Sequence, residues 1–388
     1  MARACGVDRF THNWALAEWI DQYEMGGQPT ANELKRLFNA VKEELYPWVM
    51  ESPRDANSQP FADLGRAFSN FFASCKGTRK GRRAGYPKFR KRGVNDSFYV
   101  SNDKIKVRQR GKRGVVRLPV IGDVRMMEPL RWEGRILGAH VFRKADQWFI
   151  AFTVETRVEH PGHVHAHAIV GIDLGLKTAV MPSHGKPCPS PRPLRANLKR
   201  LRRSQRRLSR RKKGSANWNK SRIDVAKIYL DIANIRKDWW HKRTTDLCRE
   251  NQTVVIEDFT TAFMLNNRRL ARAASDVAPG MFRPMMLYKA LIWGTNLIIA
   301  DRHYPSTQRC PHCANIKTGD DKLVLGESEY VCEKCGYRGD RDRTAELNLE
   351  QYPRLEGNWG HAIRETPTSM DDRASTQSAV TSVEQADR

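Results

Sequence analysis

Acidic residues are scarce in this 388-residue chain: 43 Asp and Glu stand against 68 Lys and Arg, a formal net charge of +25. That balance argues against an ordinary enzyme of small substrates and calls for a polyanionic partner. Long apolar runs are also missing. No segment approaches the roughly 20 apolar residues of a membrane span, and the opening MARACGVDRF lacks the apolar core of a signal peptide. Nucleic acid, not membrane, is therefore the expected partner, and a cytoplasmic, nucleoid-associated location is expected with it. Evenly distributed cysteines are lacking too. Of 8 cysteines, Cys5, Cys75, Cys188 and Cys248 are single, and the others form two tight pairs. This excludes a disulfide framework and leaves one metal site among background thiols.

What is present divides the chain into segments. Residues 1–75 read as a helical domain, because Leu34, Leu37, Phe38, Val41 and Leu45 recur at helical spacing and FADLGRAFSNFFAS follows as another helix. From residue 76 the chain turns basic and glycine-rich in KGTRKGRRAGYPKFRKRG, where Tyr86 and Phe89 interleave with cations. The short alternating runs SFYVS, KIKVRQ, GVVRLPVIG, ILGAHVFRK and QWFIAFTVE then predict a small β-barrel or sheet running to about residue 158, within a segment that ends at residue 168. His160, His163, His165 and His167 lie in an irregular linker, where alternation alone is a weak sign of metal. Beyond Pro353 the tail has no apolar period and is expected to be disordered.

Residues 192–222 hold 14 Lys or Arg and no acid. Leu194, Leu198, Leu201, Gln205 and Leu208 trace a narrow seam on a helix whose remaining surface is positive. Lys199, Arg200, Arg202, Arg203, Arg206, Arg207, Arg210, Arg211, Lys212 and Lys213 are thus candidates for phosphate contact, as are Lys88, Phe89, Arg90, Lys91 and Arg92 of the earlier basic segment.

Two kinds of metal chemistry are suggested. Cys310 and Cys313 are followed, after 18 residues, by Cys332 and Cys335. Two such knuckles match a closed tetrahedral zinc site, structural because no coordination position stays open. The second kind needs acids from distant segments. Asp173 interrupts the apolar run AIVGIDLGL, and Glu257 and Asp258 close TVVIEDF. A buried carboxylate without a partner is costly, so a cation is its natural compensation. On the last helix, at about 100° per residue, Asp342 falls on the face of Ala345, Leu349 and Tyr352, whereas Asp340 points away and suits an N-cap.

The segments NWALAEW, LYPWV, YPKFRKRG with SFYVS, GIDLGLKTAV, LSRRKKGSANWNK, VVIEDF, NNRRLARAASD, PSTQRCPHC and CGYRGDRDRTAELNL occur in this order as far as about residue 350. In them the chain closely resembles TnpB, the RNA-guided nuclease of certain bacterial and archaeal insertion sequences, related to type V CRISPR effectors. The resemblance implies an α/β RuvC-type nuclease domain of RNase H fold over 169–306 and 338–352. A zinc-ribbon lobe at 307–337 would interrupt it. Before it would come a helical recognition domain and a β-barrel wedge domain. It also implies Asp173, Glu257 and Asp342 as catalytic ligands of Mg²⁺ (or Mn²⁺), a transposon-derived guide RNA, and double-stranded target DNA cut beside a short adjacent motif. One protein per RNA is expected, with a dimer as the alternative. The chain departs from the family at its start, which lies almost at the helix holding NWALAEW, where a short strand usually comes first. It departs again at Thr344 and Glu346, where Asn and Ala are common. A regulator with a silent nuclease would have lost an acid, a strand-transfer transposase would need no guide RNA, and a compact CRISPR-associated effector would share the fold.

Overall fold

The computed structural model describes residues 1–388 except 103–104, 112, 158–159, 163–166, 325, 356–378 and 385–388. The helices are α1 (Ala2–Glu24), α2 (Ala31–Leu45), α3 (Arg54–Cys75), α4 (Pro193–Ser209), α5 (Ala216–Glu250), α6 (Ala262–Asn266), α7 (Ala271–Val277), α8 (Phe282–Trp293) and α9 (Arg341–Leu355). The strands begin with β1 (Ser97–Ser101), β2 (Lys106–Arg110), β3 (Arg113–Leu118), β4 (Gly122–Met126), β5 (Arg135–Lys144) and β6 (Gln147–Glu155). They continue with β7 (His167–Asp173), β8 (Thr178–Pro182), β9 (Cys188–Pro189), β10 (Asn251–Glu257), β11 (Asn296–Ala300), β12 (Glu329–Val331), β13 (Arg338–Asp340) and β14 (Ala379–Glu384). Two units result, Met1–Arg157 with Thr376–Arg388, and Val158–Ser375.

In the first unit, Thr30 and Glu33 form a reciprocal cap: the Glu33 N–H donates to Thr30 Oγ1 and the Thr30 hydroxyl to Glu33 Oε2. Helix α2 buries only Leu34 and Phe38 of its expected apolar face. Leu37 and Leu45 are exposed, because the helix meets its neighbours along one narrow row. Trp19 stacks on Phe68 at 4.1 Å, fixing α1 against α3. The sheet order is β1-β5-β6-β14-β4-β3-β2. Among the described residues its ladder runs from β1 at one end to β2 at the other, a sheet where a barrel or sheet is expected. The tail differs from expectation. Helix α9 runs on to Leu355, and AVTSVE forms β14 between β6 and β4. Its β-branched residues suit a strand, and β6 and β4 offer backbone groups to pair.

The second unit is built on the sheet β11-β10-β7-β8-β9. Strands β10 and β11 run parallel to one another and to β7, and β8 and β9 continue antiparallel. Strand β7 is covered on both faces, which is why its sequence is a continuous apolar run. Val170 and Ile172 pack with Trp240, Phe282 and Met286. Ile169 packs the other way, with Leu349 and Tyr352 of α9. Helix α9 comes so close to β7 that only glycine fits between them. A Cβ on Gly171 would stand 2.2 Å from the Glu346 carbonyl oxygen and 2.6 Å from the Glu350 nitrogen. Gly171→Ala should therefore lower stability by about 3 kcal/mol through overpacking, read as a fall in melting temperature with RNA binding retained.

Candidate functional site

The four cysteine sulfurs lie within 4.8 Å of one another. Each knuckle is a turn folded back on itself. The Ala314 N–H donates to the Cys310 carbonyl at 2.9 Å, and the Gly336 N–H donates to the Cys332 carbonyl at 2.9 Å. Both Ala314 and Gly336, directly after a second cysteine, have left-handed backbone (φ 59° and 74°). Glycine suits that conformation and alanine costs more. Four converging thiols, with no further ligating side chain gathered with them among the described residues, fit zinc. The hairpin β12–β13 closes the lobe, and β13 passes directly into α9 with no linker.

That junction decides how the two aspartates differ. Asp340 Oδ1 accepts from the Asp342 N–H at 2.9 Å and the Arg343 N–H at 3.1 Å. Asp340→Ala should thus cost about 1 kcal/mol of stability and leave nuclease activity intact, checked by melting and cleavage of the same preparation. Asp342 stands in the first turn of α9 but is half exposed, not buried as its helix face suggests.

Asp173 ends β7 and Glu257 ends the neighbouring β10. Burial raises the Asp173 pKa to about 7, and the charges of Glu257 and Asp342 add to the shift against a hydrogen bond from the Leu174 N–H. The charges of Glu257 and Asp342 thus reach Asp173, although among the described residues the three acids are not gathered as tightly as the four cysteines. Among the described residues Asp173 has no basic partner. Asp258, beside Glu257, is instead paired with Arg283. A set of oxygen donors that repel one another around a poorly solvated carboxylate fits a hard divalent cation. The expected ligand residues therefore suit the metal.

Glu346, at the position where the resemblance leads one to expect alanine, has a side chain 1% exposed that pairs with Arg343 at 2.9 Å. Arg343 also donates to the Pro182 carbonyl at 3.4 Å, tying the start of α9 to the end of β8. Burial lifts the Glu346 pKa to about 7 against the pull of Arg343.

Three positioning residues have no signal in the local sequence. Ser306 donates its hydroxyl to Glu257 Oε1. Asn348 of α9 donates from Nδ2 to the carbonyls of Ser306 and Arg309, each at 2.7 Å. Asp276 caps α4 from a distance, accepting from the N–H groups of Leu194 and Arg195 at 2.8 and 2.9 Å. Only the convergence of separate segments could reveal them.

Helices α4 and α5 form a hairpin sealed by Leu201, Ile228 and Ile232. The candidate cations from Lys199 to Lys213 are all exposed. Arg207 and Arg200 pair with Asp224 and Asp231 of α5. Arg203, Arg206, Arg207, Arg210 and Arg211 line one surface concavity of about 460 Å³. In the first unit Lys88, Phe89, Lys91 and Arg92 are exposed. Arg90 turns inward to Asp8 and Asp63, so its charge is committed to the fold instead of a ligand. Of the linker histidines, His160 meets the Ile292 carbonyl at 3.2 Å and His167 stacks on His184 at 5.6 Å. His163 and His165 lie outside the described residues. Among the described residues no helix is long and apolar enough to cross a membrane.

The chain matches family models described as "Probable transposase" over residues 151–268 and "Cas12f1-like, TNB domain" over 280–349. Its fold resembles the protein of a Cas12f1–sgRNA–target DNA complex, with a TM-score of 0.53 and 12% identity over 90% of this chain and 81% of that one. Sheet, four-cysteine lobe and helices together define a Cas12-like multidomain α/β fold. A Streptomyces pristinaespiralis protein named "Putative RNA-guided DNA endonuclease" is 33% identical over 90% of this chain and 84% of its own. "Putative RNA-guided DNA endonuclease InsQ" of Escherichia coli K12 is 30% identical over 90% and 87%. The chain belongs to the TnpB family.

Proposed function

We propose that the protein is an RNA-guided, divalent-metal-dependent DNA endonuclease of an insertion sequence, cutting guide-matched DNA beside a short adjacent motif. The observation that carries the reading is the placement of Asp173 and Glu257 at the ends of two paired strands, with Asp342 in the first turn of the helix that packs on them. The five-stranded mixed sheet beneath them supports a RuvC-type, RNase H-like domain. Asp173, Glu257 and Asp342 would hold Mg²⁺ or Mn²⁺. Two such ions would stabilise the attacking and leaving oxygens of a phosphodiester. Ser306 orients the Glu257 carboxylate. Asn348 holds Ser306 to α9, so Glu257 and Asp342 are positioned by one connected network. All three acids are present, which favours a working nuclease over a silent regulator.

The arginine concavity on α4 suits the backbone of a guide RNA or its heteroduplex, with base pairing left to read the target. Binding of the co-purifying RNA should weaken steeply with salt. Replacing Arg203, Arg206 and Arg210 by alanine should flatten the slope of log K against log salt by about 2, at roughly 0.7 per single-strand phosphate. An unchanged slope would remove α4 from the RNA surface. The whole reading is tested by incubating the RNA-loaded protein with Mg²⁺ and a plasmid bearing matched target and adjacent motif. Linearised plasmid is expected, and an intact plasmid with RNA bound would sink the nuclease reading.

A further inference from the structure

A cavity of about 370 Å³ opens beside the acids, and nothing in the metal chemistry uses it. Glu257 and Leu174, the residue after Asp173, both line it. Its size lies at the lower end of ligand pockets, about 300–1,000 Å³. The exit from β10 shapes one wall. The Phe259 N–H donates back to the Glu257 carbonyl at 2.8 Å, a tight reversal that leaves the Phe259 ring partly buried and lining the cavity. Phe282 and Ile256 close the floor, and Thr261 supplies a hydroxyl. Gly280 forms part of the facing wall, where an added Cβ would meet nothing nearer than Thr261 Cγ2 at 3.8 Å. Glycine therefore keeps this space open; it is not needed to avoid a clash.

The lining favours one kind of occupant. Among the described lining residues the cation is Arg283, already paired with Asp258, so the lining disfavours a phosphate. An aromatic face would find Phe259, and a polar edge would find Thr261. The occupant must also belong to whatever lies at the acids, since Glu257 serves both. Resting on the nuclease reading above, we infer that the cavity receives one unstacked nucleobase of the DNA strand being cut, its face against Phe259 and its edge toward Thr261. A base still paired in a duplex cannot enter, so the pocket selects an unpaired strand for cleavage. Aromatic stacking tolerates every base, which suits an enzyme whose sequence choice is made by its guide.

The test uses the RNA-loaded protein with matched target DNA in Ca²⁺, probed by permanganate, which oxidises unstacked thymines. Thymines are placed singly along the displaced and the guide-paired strand in separate targets. One thymine in an unpaired stretch should be protected about 10-fold relative to its neighbours. That protection should vanish in Phe259→Ala, and in Gly280→Leu, which fills the cavity and leaves every acid in place. In Mg²⁺, an abasic residue at the protected position should slow single-turnover cleavage about 10-fold in the wild type, with little further slowing in Phe259→Ala. Uniform reactivity along the unpaired strands, in a protein that cuts, overturns the pocket and leaves the nuclease reading standing. A protected thymine that depends on Phe259, in a protein that never cuts, supports the pocket and overturns the nuclease reading.

Discussion

Asp173→Asn should lower target cleavage by about three orders of magnitude or more while leaving affinity for the guide RNA unchanged. The size follows from removing a central ligand from a site whose rate enhancement rests on metal-stabilised charge. RNA affinity is spared because the basic helix owes nothing to β7. The substitution should have a second, opposite effect on stability. In the folded protein the Asp173 carboxyl holds its proton up to about pH 7, against an ordinary value of 3.8. Between those values the folded state binds more protons than the unfolded one, so stability falls as pH rises. The penalty is absent below about pH 4 and complete above about pH 7. Metal-free Asp173→Asn should therefore melt higher than wild type at pH 8 and no higher at pH 4, measured calorimetrically in chelator. Equal melting at both values would show that burial and the neighbouring carboxylates do not raise the Asp173 pKa. Unchanged cleavage would remove Asp173 from the centre.

Cys332→Ser should abolish metal retention in the lobe and, with it, cleavage. A structural zinc site can contribute on the order of 10 kcal/mol to the folding of its lobe, and the 307–337 segment has only a small core around Tyr330. The loss reaches the acids by a short route. Strand β13 ends at Asp340, whose carboxylate caps α9, and the next residues carry Asp342. Melting the lobe frees the first turn of α9 and releases the Asn348 bonds to Ser306 and Arg309. The expected results are one zinc per wild-type chain by elemental analysis and none retained in the variant. New protease cuts should appear within the lobe, and cleavage should be lost even in excess Mg²⁺, with RNA still bound. Full cleavage by a zinc-free variant would show that the lobe is dispensable to the acids.

The two sites were not equally legible in the sequence. The cysteine pairs stand out because each knuckle is a local turn, and its spacing is set by tetrahedral geometry. Asp173 and Glu257 stand out because an acid within an apolar run breaks a strand pattern that burial imposes. Helical periodicity marks Asp340 as the cap of α9, and its two accepted hydrogen bonds agree. It places Asp342 on the buried face although its side chain is half exposed, because a period fixes direction around the helix and not depth. Arg90 shows the same limit in another form. Its neighbours Lys88, Lys91 and Arg92 are exposed cations, and nothing local distinguishes it from them. Its partner Asp8 is 82 residues away.

The sequence by itself determined the charge that calls for a polyanion, the buried strands, the zinc knuckles and the identity of the candidate acids. Each of these is written in residue type, or in a period shorter than one element. Tertiary structure alone decided that Ser306 holds Glu257, that Asp276 caps the basic helix, and that Gly171 lets α9 close on β7. It alone decided that Phe259 and Gly280 bound an open cavity beside the acids. Those contacts join residues tens of positions apart, such as Ser306 and Glu257 at a separation of 49. Their partners are chosen by the packing of whole elements, and no local pattern of residues can encode that choice.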